Sequence, residues 1–136
     1  MDGAKCAALK SELSKLPEPQ VVPVERFFDG NDDVASIGCN LPKHPGMQVF
    51  RDVLTGLRRL PGVLAVYAQV FELDPGDEYW PFADTVLVVG TLPATALRGA
   101  VKGLMPDEVD LLAPDDVPPA VAERHPGAPV LSIWWD

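Results

Sequence analysis

The chain is poor in cysteine, in histidine and in positive charge, and it has no long apolar run. Cys6 and Cys39 stand far apart without a Cys-x-x-Cys pair. Neither a disulfide framework of the secreted kind nor a zinc ribbon fits that usage, and a reducing compartment is the simplest setting. The two histidines, His44 and His125, make no paired ligand spacing with those cysteines, so no metal and no cofactor are expected. Eleven Lys and Arg face twenty Asp and Glu, a net charge of −9. A surface of that sign repels phosphate backbones and anionic membranes unless its cations cluster, and Arg58-Arg59 is the only basic pair. Nucleic acid and membrane are therefore not expected partners, whereas a protein with a basic or neutral surface is. No run approaches the ~20 apolar residues of a membrane-spanning helix. The apolar residues near the N-terminus are spaced apart rather than gathered into a signal-peptide core, so cytoplasmic residence is the expectation. G-x-S-x-G, P-loop and G-x-G-x-x-G patterns are also absent, which removes the motif-borne routes to nucleophilic or nucleotide chemistry.

At 136 residues the chain is long enough for one domain with its own core. Its fifteen prolines collect in connections, which implies stiff, ordered loops around a compact centre. The strongest pattern lies in residues 44–91. Met47, Phe50, Val53, Leu54, Leu57 and Leu60 recur at spacings of three and four, and Gln48, Arg51, Asp52, Arg58 and Arg59 fill the other side. That spacing predicts an amphipathic helix, opened by Pro45 in its first turn and stopped by Pro61-Gly62. A strand follows over 63–73, with Leu64, Val66, Ala68 and Val70 on one face and Ala65, Tyr67, Gln69 and Phe71 on the other. A polar turn then leads to a β-branched return strand over 85–90.

The remaining segments are weaker. Cys6, Leu9, Leu13 and Leu16 form the stripe of an N-terminal helix or flexible arm occupying residues 1–19, and residues 20–136 read as the α+β domain. Residues 21–28 predict a first strand, whose Pro23 points to an edge position, and 35–39 a short further strand. Thr91 is a candidate cap for a helix beginning at Leu92-Pro93, with Leu97, Ala100, Val101 and Leu104 buried and Gly99 and Gly103 permitting close packing. The segment 105–129 resists assignment, and 130–135 reads as the last strand. The order of elements resembles the ferredoxin-like split βαβ sandwich, in which two helices cover one face of an antiparallel sheet. That resemblance implies a fold and no activity.

Three clusters are candidate sites. The first, residues 29–44, holds Asp29, Asn31, Asp32, Asp33, Cys39, Asn40 and His44. Asp29-x-Asn31-x-Asp33 starts like a calcium loop, but Val34 replaces the required glycine and Asn40 the bidentate glutamate. Within the same cluster Cys39 and His44 are the candidate nucleophile and base, with Asp33 and Asn40 beside them. The second cluster is the turn 74–84, where Asp77, Glu78, Tyr79 and Trp80 form a candidate binding surface for a basic partner, Trp80 serving as its hot spot. The alternative for this turn is a loop tucking Trp80 and Phe82 over the sheet. The third is the sheet face away from the helices, where Tyr67, Phe71 and Trp134 form a candidate interface, covered either by the 105–129 segment or by a second copy of the chain. The balance of charge and the missing motifs favour a non-catalytic protein-binding or regulatory module. The alternatives are an enzyme or small-molecule binder using the 29–44 loop, and a structural subunit assembling through the open sheet face.

Overall fold

A computed structural model describes residues 1–136 as an α+β fold built on one five-stranded antiparallel sheet. The elements are α1 (Gly3–Ser14), β1 (Gln20–Pro23), α2 (Val24–Phe28), α3 (Met47–Gly56), β2 (Val63–Glu72), β3 (Phe82–Gly90), α4 (Ala94–Val101), β4 (Glu108–Leu111), α5 (Pro119–Arg124) and β5 (Val130–Trp134). The strand order is β1-β2-β3-β5-β4. Each neighbouring pair is antiparallel.

This topology keeps only part of the split βαβ arrangement. The connection from β1 to β2 contains two helices, α2 and α3, and returns the chain antiparallel to β1 and directly beside it. In the second half, β3 and β4 are each antiparallel to β5 and so run parallel on either side of it, joined through α4, which makes one split βαβ unit. The 105–129 segment also supplies a fifth strand, β4, which pairs with β5 and forms the second edge.

Local chemistry explains the shifted boundaries. The strand expected over 21–28 ends at Pro23, which has no N–H for the ladder, and β1 is indeed an edge strand. Val24, Phe27 and Phe28 then follow helical spacing and bury one face of α2. Residues 35–39 are not a strand; Val34–Ser36 is a 3-10 turn whose first amides are held by the Asp33 side chain through Ala35 N at 3.0 Å. Helix α3 starts after Pro45, at Met47, because Gly46 takes φ 104° at its N-cap, a backbone state that disfavours a side chain. Helix α4 starts at Ala94 with Pro93 as its N-cap, so Thr91 caps nothing. Leu97, Val101 and Leu104 are buried as expected, but Ala100 is exposed, and Gly99 and Gly103 face open space rather than a close neighbour. At the base of the hairpin Gly90 is required, since any side chain there would collide with the Gly62 carbonyl oxygen.

The sheet carries a core on each face, and the two are unequal. On the helix side 27 buried residues pack together, against seven on the other, so the helix-side layer dominates stability. Val66, Ala68 and Val70 of β2 point into the larger core, along with Val88 of β3 and Leu131, Ile133 and Trp135. Phe27, Phe28, Phe50 and Leu54 meet them from the helices; each such side chain contributes about 1.5–3 kcal/mol on burial. Helix α1 belongs to the same core through Cys6, Leu9 and Leu13. On the outer face, Ala120 and Val121 of α5 cover Tyr67, Leu87, Val89, Val130 and Val21. The chain thus covers that half of the face with its own segment.

Candidate functional site

The 29–44 loop is held by its own side chains. Asn31 Oδ1 accepts from Asp33 N at 2.9 Å, while Asn31 Nδ2 donates to the buried Ser36 Oγ at 3.0 Å. Ser36 Oγ donates in turn to Asp33 O. Asp33 accepts from Ala35 N through Oδ1 and from Trp80 N through Oδ2, so this carboxylate ties the loop to the 74–84 turn. Asp29 pairs with Lys5 at 2.7 Å, and that hydrogen bond holds its carboxyl below the usual carboxylate range. These oxygens are spent on backbone amides and on a lysine, and no group of three or more possible metal ligands comes together in the chain.

Nor does the loop assemble a nucleophile and base. His44 Nδ1 accepts from Gly46 N at 2.9 Å, which places the ring proton on Nε2, and Nε2 donates to Ile37 O at 2.9 Å. The ring also stacks on Phe50 with centroids 4.9 Å apart. Both nitrogens are therefore engaged by backbone, with no lone pair left for a thiol. Cys39 is exposed and free, not buried in a strand, and Asn40 donates to Asp136 O at 3.1 Å.

The 74–84 turn divides. Trp80 is fully buried in the larger core and its indole N–H meets no acceptor, so it is a packing residue rather than the hot spot of a surface. Asp77, Glu78 and Tyr79 are exposed. Tyr79 packs edge-on against Phe82 at 5.8 Å, and Phe82 against Phe71 at 6.2 Å. Phe71 is 58% exposed and Tyr79 43%, which leaves an aromatic strip on the surface. A small cleft bordered by Phe71, Asp84, Trp134 and Cys39 continues that strip toward β5.

On the outer sheet face the three expected interface residues part company. Tyr67 is 5% exposed, and its hydroxyl lies 2.8 Å from His125 Nε2 at the end of α5, with the Arg124 guanidinium 5.9 Å above its ring. It is therefore not available at an interface. Phe71 and Trp134 remain accessible beyond the edge of α5. The five ion pairs use Lys5, Lys10, Arg26, Arg58 and the N-terminal amine, which lie on α1 and α2, just before α1, or in the turn that follows α3. Asp77, Glu78, Asp84, Glu108, Asp110 and Asp116 have no cationic partner. Unpaired negative charge thus collects around the accessible aromatic residues.

Residues 4–133 match the family model described as Uncharacterized protein YfbO family. The chain belongs to that family. No curated protein and no solved structure matches it. The YfbO match runs from within α1 to within β5, so helix α1 and the covering helix α5 are parts of the family unit along with the sheet.

In this YfbO chain the sequence missed His125, which stood only as a remote and unpaired metal ligand. Its partner Tyr67 lies 58 residues away, and no local spacing signals the contact. A cavity of about 300 Å³ opens beside His125, walled by Leu111, Leu112, Val117, Ala122 and Val130. No helix is long and apolar enough to cross a membrane.

Proposed function

We propose that this protein is a non-catalytic binding module that captures a protein partner with a basic surface. One observation carries the reading. Tyr79, Phe82 and Phe71 form a ring cluster with two members exposed, and Asp77, Glu78 and Asp84 beside it have no internal cation. An exposed aromatic strip gains free energy only when a partner removes it from water, and unpaired carboxylates around it steer a cation toward it. The commitment of Asp33 and of both His44 nitrogens to backbone supports the absence of acid–base chemistry in the 29–44 loop. The site is therefore moved outward from the expected one: Asp77, Glu78 and Tyr79 stay, Trp80 leaves, and Phe71 and Phe82 join.

The test is affinity capture from native lysate with immobilised protein. Reversing charge in the double variant Asp77→Lys/Glu78→Lys removes the captured partner, and Tyr79→Ala weakens capture by about five- to thirtyfold, a loss of roughly 1–2 kcal/mol. All three positions are exposed, so the variants keep the wild-type melting temperature within a few degrees. Capture that survives the double reversal would refute this placement of the site.

A further inference from the structure

The outer face of the sheet is only half covered. Beyond α5 the row Gln69, Thr85, Trp134 and Glu108 crosses four strands, and Ser132 and Asp110 lie in the row behind it. Asp116, from the 3-10 turn Pro114–Asp116, stands over this floor as a wall. The result is an open groove of about 470 Å³.

Its occupant can be read from its charge and its floor. Glu108, Asp110 and Asp116 are exposed, and none takes part in an ion pair. Among them the half-buried Trp134 offers an aromatic surface, while Gln69, Thr85 and Ser132 supply hydrogen-bonding groups. A second copy of the chain fits badly here, because a two-fold contact sets the same three carboxylates against themselves in a molecule already carrying −9. A guanidinium fits well: it stacks on an indole face by cation–π attraction and forks to carboxylates through paired N–H groups. A lysine has the charge without the fork.

We propose that this groove is the docking site for an arginine side chain presented by an extended basic segment of a protein partner, with Trp134 as the platform and Glu108, Asp110 and Asp116 as the charged walls. The inference rests on the protein-binding reading above and names its central contact. The groove adjoins the aromatic strip through the cleft shared by Phe71 and Trp134, so one partner reaches both.

The experiment is a nuclear magnetic resonance titration of the full-length, 15N-labelled protein with a capped peptide of three arginines alternating with glycine and serine. Matched peptides carry lysine or the neutral isostere citrulline. With the arginine peptide, the Trp134 indole N–H and the amides of Gln69, Thr85 and Ser132 shift and saturate; lysine binds more weakly and citrulline leaves them still. The triple variant Glu108→Gln/Asp110→Asn/Asp116→Asn weakens binding by about tenfold or more. Trp134→Leu weakens it about fivefold, and Trp134→Phe, which keeps a ring, falls between. Shifts confined to Asp77, Glu78 and Tyr79, unchanged in the triple variant, overturn the groove and leave the binding-module reading standing. Equal response to arginine and citrulline overturns the charge argument. No shift at millimolar peptide, with lysate capture intact, overturns the groove alone.

Discussion

At the scale of single residues, two neighbours in one turn have opposite fates. Trp80 is fully buried and Tyr79 is 43% exposed, so Trp80→Ala costs about 3–5 kcal/mol of stability while Tyr79→Ala costs under about 1. Urea unfolding of the two variants checks this, and near-equal losses would contradict it. The sequence could not separate them: both are aromatic, adjacent and flanked by carboxylates, and Trp80 packs into a core built from distant segments, its N–H held by Asp33 from 47 residues away. The two thiols differ in the same manner. Burial pushes the Cys6 thiol up, and its Sγ–H donates to Tyr79 O, whereas Cys39 is exposed. A disulfide reagent therefore titrates one thiol in the native protein and two after denaturation, and Cys39→Ser abolishes the native reaction. His44→Ala lowers stability by about 1–3 kcal/mol by leaving the Ile37 and Gly46 backbone groups without their partner. It leaves the rate of Cys39 modification unchanged, and a tenfold fall in that rate would restore the nucleophile–base pair.

At the scale of elements, those with a long period were legible and those with a short one were not. Helix α3, strands β2 and β3 and the final strand follow from apolar spacing over eight or more residues or from a β-branched run. Helix α2 was hidden because Val24, Phe27 and Phe28 satisfy a strand's composition as well as a helix's spacing, and only Pro23 decides where pairing ends. Strand β4 was hidden because one buried residue, Val109, stands among Glu108, Asp110 and Leu111, and an edge strand of that length has no face to alternate. Its outer edge is partly blunted by Arg98, which donates to Val109 O at 3.0 Å. Helix α4 carries a correctable weakness. Gly99 lies inside it, and a Cβ there meets nothing within 4 Å. Gly99→Ala therefore raises stability by about 0.5–1 kcal/mol, read as a higher melting temperature. A lower one would mean that α4 packs more closely than described.

At the scale of the whole molecule, charge is segregated. The cations in ion pairs sit on the helical side, and the unpaired carboxylates gather on the outer face and at the 74–84 turn. Asp29 and Asp74 are held below the usual carboxylate range, each chiefly by a hydrogen bond from a lysine on α1, Lys5 and Lys10 respectively. Because the folded pKa is depressed, the stability these pairs contribute is present above the unfolded value near 3.9 and is lost as pH falls through the folded one. Stability plotted against pH therefore declines below about pH 4, and the variant Asp29→Asn/Asp74→Asn declines less steeply in that window. Identical slopes would mean that the pairs are absent in solution. The β2–β3 hairpin has a further consequence, for the order of events in folding. Its two strands are joined by the connection 73–81, and they feed Val66, Ala68, Val86 and Val88 to one core and Tyr67, Leu87 and Val89 to the other. Strands β1 and β5 join at its flanks, β1 to β2 and β5 to β3, and β4 adds beyond β5. The hairpin is thus the cheapest nucleus in loop-closure entropy and the one on which both layers condense. Kinetic φ-values at Val66→Ala and Val88→Ala are accordingly expected to exceed those at Val121→Ala in α5, and equal values would contradict this order.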